Sequence, residues 1–71
     1  MQNAKFDGDK VKQLRLESNL TQTELAEMIG TSQEQISRFE KGQEPQFQTL
    51  KKLAKALEIL SDDLYNYSSK F

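Results

Sequence analysis

The sequence contains no cysteine and no histidine. Without cysteine there is no disulfide and no thiolate zinc site to brace the fold. Without histidine the commonest general base and metal ligand is missing, so hydrolytic and metal chemistry lose their usual agents. No run approaches the ~20 apolar residues of a membrane span, and the opening MQNAKFDGDK lacks the apolar stretch of a signal peptide. Glycine-rich linkers and low-complexity segments are absent, and 71 residues are too few for a repeat array. The expectation is a single domain over residues 1–71 in the cytoplasm, with no metal and no cofactor. A chain of this length buries about 60% of its unfolded surface, so its apolar fraction of 35% must be well placed.

The formal net charge is −1 and the sequence pI about 5.3. Nucleic-acid-binding domains are usually basic, so the sum argues mildly against that class. The distribution says more. Lys10, Lys12 and Arg15 form a basic run, and Lys41, Lys51, Lys52 and Lys55 face only Glu44 in their segment. Glu58, Asp62 and Asp63 form an acidic end. With charge segregated in this way, the expectation is one basic end of the molecule and one acidic end.

Helical periodicity dominates what is there. DKVKQLRLESN places Val11, Leu14 and Ser18 on one stripe with Arg15 beside them, started by Asp7 or Gly8 and ended by Asn19. LTQTELAEMIG carries a Thr21/Glu24 capping box, a Leu20/Leu25 staple and a Gly30 stop. In TSQEQISRFEKG, Ser32 and Gln35 suggest a second capping box, and Gly42 ends the helix. Pro45 breaks the chain, after which Phe47, Leu50, Leu53, Ala54 and Leu57 share a face. SDDLYNY reads as a short helix capped by Ser61, with Asp62 and Asp63 in its first turn. No segment alternates long enough for a strand. The fold expected is all-α, with five short helices at roughly 8–19, 22–29, 33–40, 47–57 and 61–66, and a frayed tail.

Counted from Gln22, Ala26 stands fifth, Gly30 ninth and Ile36 fifteenth. Two helices joined by a tight turn cross closely, which requires a small residue at the crossing, a glycine at the bend and an apolar residue packing back. With LTQTELAEMIGTSQEQISRFEKGQEP and TLKKLAKALEI…DDLY, the chain resembles the phage repressor and Cro type (XRE-like) of helix–turn–helix domain. The resemblance covers roughly Lys10 to Tyr65. It implies a lambda-repressor-like bundle whose helix 33–40 lies in the DNA major groove.

At about 100° per residue, Ile36, Phe39 and Glu40 fall on one side of that helix. Gln33, Glu34, Ser37, Arg38 and Lys41 fall opposite, with Gln35 at the flank. Glutamine suits adenine, arginine suits guanine, glutamate can accept from cytosine and serine serves either. Glu34 repels phosphate unless it meets a cytosine or pairs with Arg38, four residues on. The resemblance further implies that Gln22, at its helix start, touches a phosphate, and that Ser32 joins the contact face. Lys41, Gln43 and Gln46 follow the helix, where the family meets the sugar-phosphate backbone, often through main-chain N–H groups. Lys12, Lys51 and Lys52 read as general surface charge. The resemblance also pairs Arg15 with Glu40 as a structural tie between helices; the plain alternative points both at solvent.

The function expected is sequence-specific double-stranded DNA binding by a small transcriptional regulator, as a homodimer on a two-fold operator. Leu60, Tyr65 and Tyr67 are candidates for the dimer surface, the alternative being that they simply cap the core. An enzyme is not expected, nor a membrane or small-molecule partner. The rival reading is a protein-interaction or antitoxin-like module on the same fold.

Overall fold

The computed structural model describes residues 4–59 and 61–67. In chain order these form β1 (Ala4–Phe6), α1 (Gly8–Glu17), α2 (Gln22–Ile29), α3 (Gln33–Glu40), α4 (Phe47–Ala56), a 3-10 turn (Ser61–Leu64) and β2 (Tyr65–Tyr67).

Side-chain caps fix where the first three helices begin. The Asp7 carboxylate accepts from the Lys10 N–H at 3.1 Å. Thr21 and Glu24 form both halves of a capping box, at 3.0 and 2.8 Å. Ser32 Oγ accepts from the Gln35 N–H at 3.2 Å. The return bond expected from Gln35 is absent among the described residues, since that side chain lies half-buried in a groove with Thr31, Phe39 and Pro45.

The four α-helices end alike. A residue with positive φ follows the last turn, and the next N–H returns to a carbonyl five residues back, which satisfies orphan helix acceptors. Asn19 (φ 58°), Gly30 (φ 73°), Gly42 (φ 109°) and Glu58 (φ 59°) hold these places. The closing bonds run from Leu20 to Arg15, Thr31 to Ala26, Gln43 to Arg38 and Ile59 to Ala54, at 2.9–3.1 Å. Glutamate fits the left-handed region poorly, at a cost of about 1–2 kcal/mol that glycine avoids. Glycine loses more entropy on folding, about 0.5–1 kcal/mol. Glu58→Gly is therefore expected to stabilise the fold by about 0.5–1 kcal/mol, read as a melting temperature higher by a few degrees; an unchanged or lower melting temperature counts against it.

The core joins all the elements. Val11, Leu25, Ile36, Leu53 and Leu64 are fully buried, and Ala26 lets α2 approach its neighbours. On α1 the buried positions are Gly8, Val11 and Arg15, with Leu14 half-buried and Ser18 exposed at the helix end. On α4 the buried face is Leu50, Leu53 and Ala54, continued by Leu57. Phe47, expected on that face, is 69% exposed. It stands at the first position of the helix, one turn short of the core, and the Lys51 ammonium covers its ring 5.2 Å from the centroid.

The all-α expectation of five helices is corrected: the described residues form four α-helices, one 3-10 turn and a two-stranded antiparallel sheet. Residues 61–64 make a single turn that lodges Leu64 in the core. The chain then runs extended, pairing Phe6 with Tyr65, Lys5 with Asn66 and Ala4 with Tyr67. The Asp7 N–H, donating to the Leu64 carbonyl at 2.7 Å, sets the register. Phe6 and Tyr65 meet edge to face, centroids 5.9 Å apart, the cross-strand aromatic contact that favours extended chain over helix here. Leu60, the side chains of Asp62 and Tyr67, and the tail 68–71, to which the sequence assigns a dimer surface, a helix start and a frayed end, lie outside the described residues. Among the described residues no helix is long and apolar enough to cross a membrane.

Candidate nucleic-acid interface

Helix α3 is amphipathic at the level of single atoms. Ile36, Phe39 and Glu40 are buried, whereas Gln33, Glu34, Arg38 and Lys41 are exposed and Ser37 half-buried. Ser32 is exposed at the N-cap. The outer row thus presents amide, hydroxyl and guanidinium groups over the length of the helix. Glu34 and Arg38 do not form an ion pair; the salt bridge among the described residues is Arg15–Glu40. An exposed pair on one helix gains only about 0.3–0.5 kcal/mol, too little to hold two long side chains together.

Beneath that row runs a polar chain linking three helices. Arg15 Nε donates to Glu40 Oε2 at 2.5 Å, and a second guanidinium nitrogen donates to Glu40 Oε1 at 3.3 Å. The third guanidinium nitrogen donates to the Leu20 carbonyl at 2.8 Å, pinning the α1–α2 turn. Both side chains are over nine-tenths buried. Gln22 Nε2 donates to Glu40 Oε1 at 3.0 Å, and Gln22 Oε1 accepts from Gln33 Nε2 at 2.5 Å. No buried side-chain nitrogen or oxygen lacks a partner among the described residues. Burial of this pair is tolerated because each polar atom is answered.

This arrangement redefines Gln22. Its amide is committed on both sides, to Glu40 and to Gln33, with one N–H left over, and the residue borders a shallow cleft with Arg15, Leu20, Thr21 and Gln33. Gln33 in turn gives one amide hydrogen to Gln22 and keeps its carbonyl oxygen and the other hydrogen outward. The α2 spacing alone could not reveal this, because the partners lie 11 and 18 residues away.

The loop after α3 is also more committed than its sequence suggests. The N–H groups of Lys41, Gly42 and Gln43 all return to α3 carbonyls. Pro45 is buried and has no N–H, while Lys41, Gln43, Glu44 and Gln46 are exposed. Gln46 caps α4 without a side-chain bond, so the first N–H groups of α4 have no side-chain cap. Among the described residues no cluster of acidic side chains could hold a metal ion.

Comparison with known proteins fits this geometry. The helix–turn–helix family profile matches residues 11–64. The chain belongs to the helix–turn–helix family of phage repressor and Cro type. Within this family of DNA-binding transcription regulators, it is similar to the P22 c2 repressor, solved in complex with a synthetic operator. The TM-score is 0.79 and the identity 33%, over 80% of this chain and 88% of that one. The biofilm master regulator SinR of Bacillus subtilis, solved with DNA, gives a TM-score of 0.74 at 30% identity, covering 80% and 94%. The restriction-modification controller C.AhdI of Aeromonas hydrophila gives 0.74 at 29%, covering 80% and 88%. A Pyrococcus furiosus protein, whose name gives it an inferred role as a helix–turn–helix-type transcriptional regulatory protein, is 41% identical over 39 residues. That is 55% of this chain but 12% of that protein's length.

Proposed function

We propose that this protein is a sequence-specific double-stranded DNA-binding regulator that lays α3 in the major groove. The observation that carries the reading is the open outer row of α3: Gln33, Ser37 and Arg38 project outward while the opposite face is sealed in the core. Gln33 retains one acceptor and one donor after bonding to Gln22. That is the complement of adenine N6–H and N7. Arg38, exposed and without an ion-pair partner among the described residues, suits guanine O6 and N7. Glu34 meets cytosine or lies outside the contact. Gln22 presents its remaining N–H to a phosphate, helped by the α2 N-terminus. Ser32, Lys41, Gln43 and the uncapped start of α4 supply the remaining backbone contacts.

A net charge of −1 limits non-specific attraction. Two copies on a two-fold site, with half-sites about 10 bp apart or a multiple of that, supply the affinity that one copy lacks. Selection of binding sites from random duplex DNA tests the reading. A recurring, two-fold symmetric sequence is expected, and Arg38→Ala should weaken binding to it roughly tenfold, through loss of one guanine contact. Selection that enriches no sequence points instead to a protein-interaction module. Unchanged affinity of Arg38→Ala removes that side chain from the readout.

A further inference from the structure

The loop that would lie along the DNA backbone carries a negative charge in an unfavourable place. Glu44 is exposed, three residues beyond Lys41, and phosphates would repel it. Its carboxylate is not left to roam. Glu44 Oε2 accepts a hydrogen bond from the Tyr65 hydroxyl, 21 residues away on β2. Tyr65 is itself held: half-buried, its ring packs edge to face on Phe6, and its backbone lies in the antiparallel pair with β1. Through Tyr65, the strand pair therefore reaches across to the one acidic side chain of the loop between α3 and α4 and fixes it beside the sheet.

We propose that Tyr65 is a positioning residue for DNA binding: it anchors Glu44 at the terminal sheet and keeps that carboxylate off the phosphate backbone. The inference rests on the DNA-binding reading above. It gives the β1–β2 pair a role in affinity, because whatever displaces β2 also frees Glu44. A carboxylate released to within about 6–8 Å of a phosphate, in a mostly aqueous setting, weakens binding by about threefold at low salt. The penalty shrinks as ionic strength shortens the screening length.

The test measures affinity for a selected duplex at two salt concentrations, for the unmodified protein, Tyr65→Phe, Glu44→Gln and the double variant, with thermal melting of each. Tyr65→Phe is expected to bind about threefold more weakly at low salt and almost normally at high salt. In the Glu44→Gln background the same replacement should change affinity at neither salt, because no charge remains to restrain. A Tyr65→Phe loss that persists in that background, or that ignores salt, assigns the tyrosine a purely structural role and overturns the inference. Normal binding by Tyr65→Phe at low salt overturns it also, while leaving the DNA-binding reading intact. Failure of the unmodified protein to bind any duplex sinks both.

Discussion

Glu40→Ala is expected to destabilise the protein by about 3 kcal/mol, the order found when one partner of a buried ion pair is removed. The substitution leaves the Arg15 guanidinium more than nine-tenths buried with only the Leu20 carbonyl as a partner. In a chain of 71 residues that is a large share of total stability, so thermal or urea melts should show it plainly. The same substitution cuts the support of Gln22, whose Nε2 donates to Glu40, and through it that of Gln33. Ordering a freed side chain costs about 1 kcal/mol on binding, or about fivefold in affinity. Replacing both partners by apolar residues, Arg15→Met with Glu40→Leu, separates the two effects. Stability should return close to normal, since well-packed apolar groups often replace a buried pair without loss. Affinity should not return, because Gln22 still lacks its anchor. A melting curve unmoved by Glu40→Ala would mean that the guanidinium reaches water and the pair carries little.

The helices were legible in the sequence because their signals are local. Thr21 and Glu24 are three residues apart, Gly30 follows the last apolar position of α2, and the stripe of Ile36 and Phe39 recurs at helical spacing. Each of these acts within one or two turns, so spacing alone exposes it. The strands were not legible, because three residues give no room for a period of two to show, and Tyr65–Tyr67 continues smoothly from SDDL as if helical. Phe47 matched the α4 period but lies past the end of the surface that α4 covers, which a periodic count cannot see. The polar chain from Arg15 to Gln33 was only half visible. The family resemblance supplied its ion pair, whereas its two glutamines are tied by contacts between helices that leave no spacing to read. Glu58 is silent in the sequence for a different reason: the left-handed position it fills usually carries glycine or asparagine, and nothing in its neighbours marks it.

Gly8→Ala is expected to cost about 3 kcal/mol, at the upper end of what overpacking usually does. Gly8 opens α1, a position where alanine is ordinarily the better helix former. Here the first turn of α1 lies against the end of α3. A Cβ at Gly8 would stand 2.3 Å from the Phe39 carbonyl oxygen and 2.7 Å from that of Glu40. Both obstacles are backbone atoms in the final turn of α3, which is fixed by the returns from Gly42 and Gln43, so neither can swing aside. The close approach is favourable as it stands, because the partial positive charge at the start of α1 meets the partial negative charge at the end of α3. Alanine must push the two helices apart, and the displacement reaches Arg15 and Glu40, which bridge the same two helices. Urea melts of Gly8→Ala and of Asp9→Ala, one residue along on the exposed side, make the comparison. A loss confined to Gly8→Ala assigns the glycine to helix packing. Equal, small effects at both positions would mean that α1 can ride up on α3 without strain, and that the ion pair tolerates a wider spacing than its bond lengths imply.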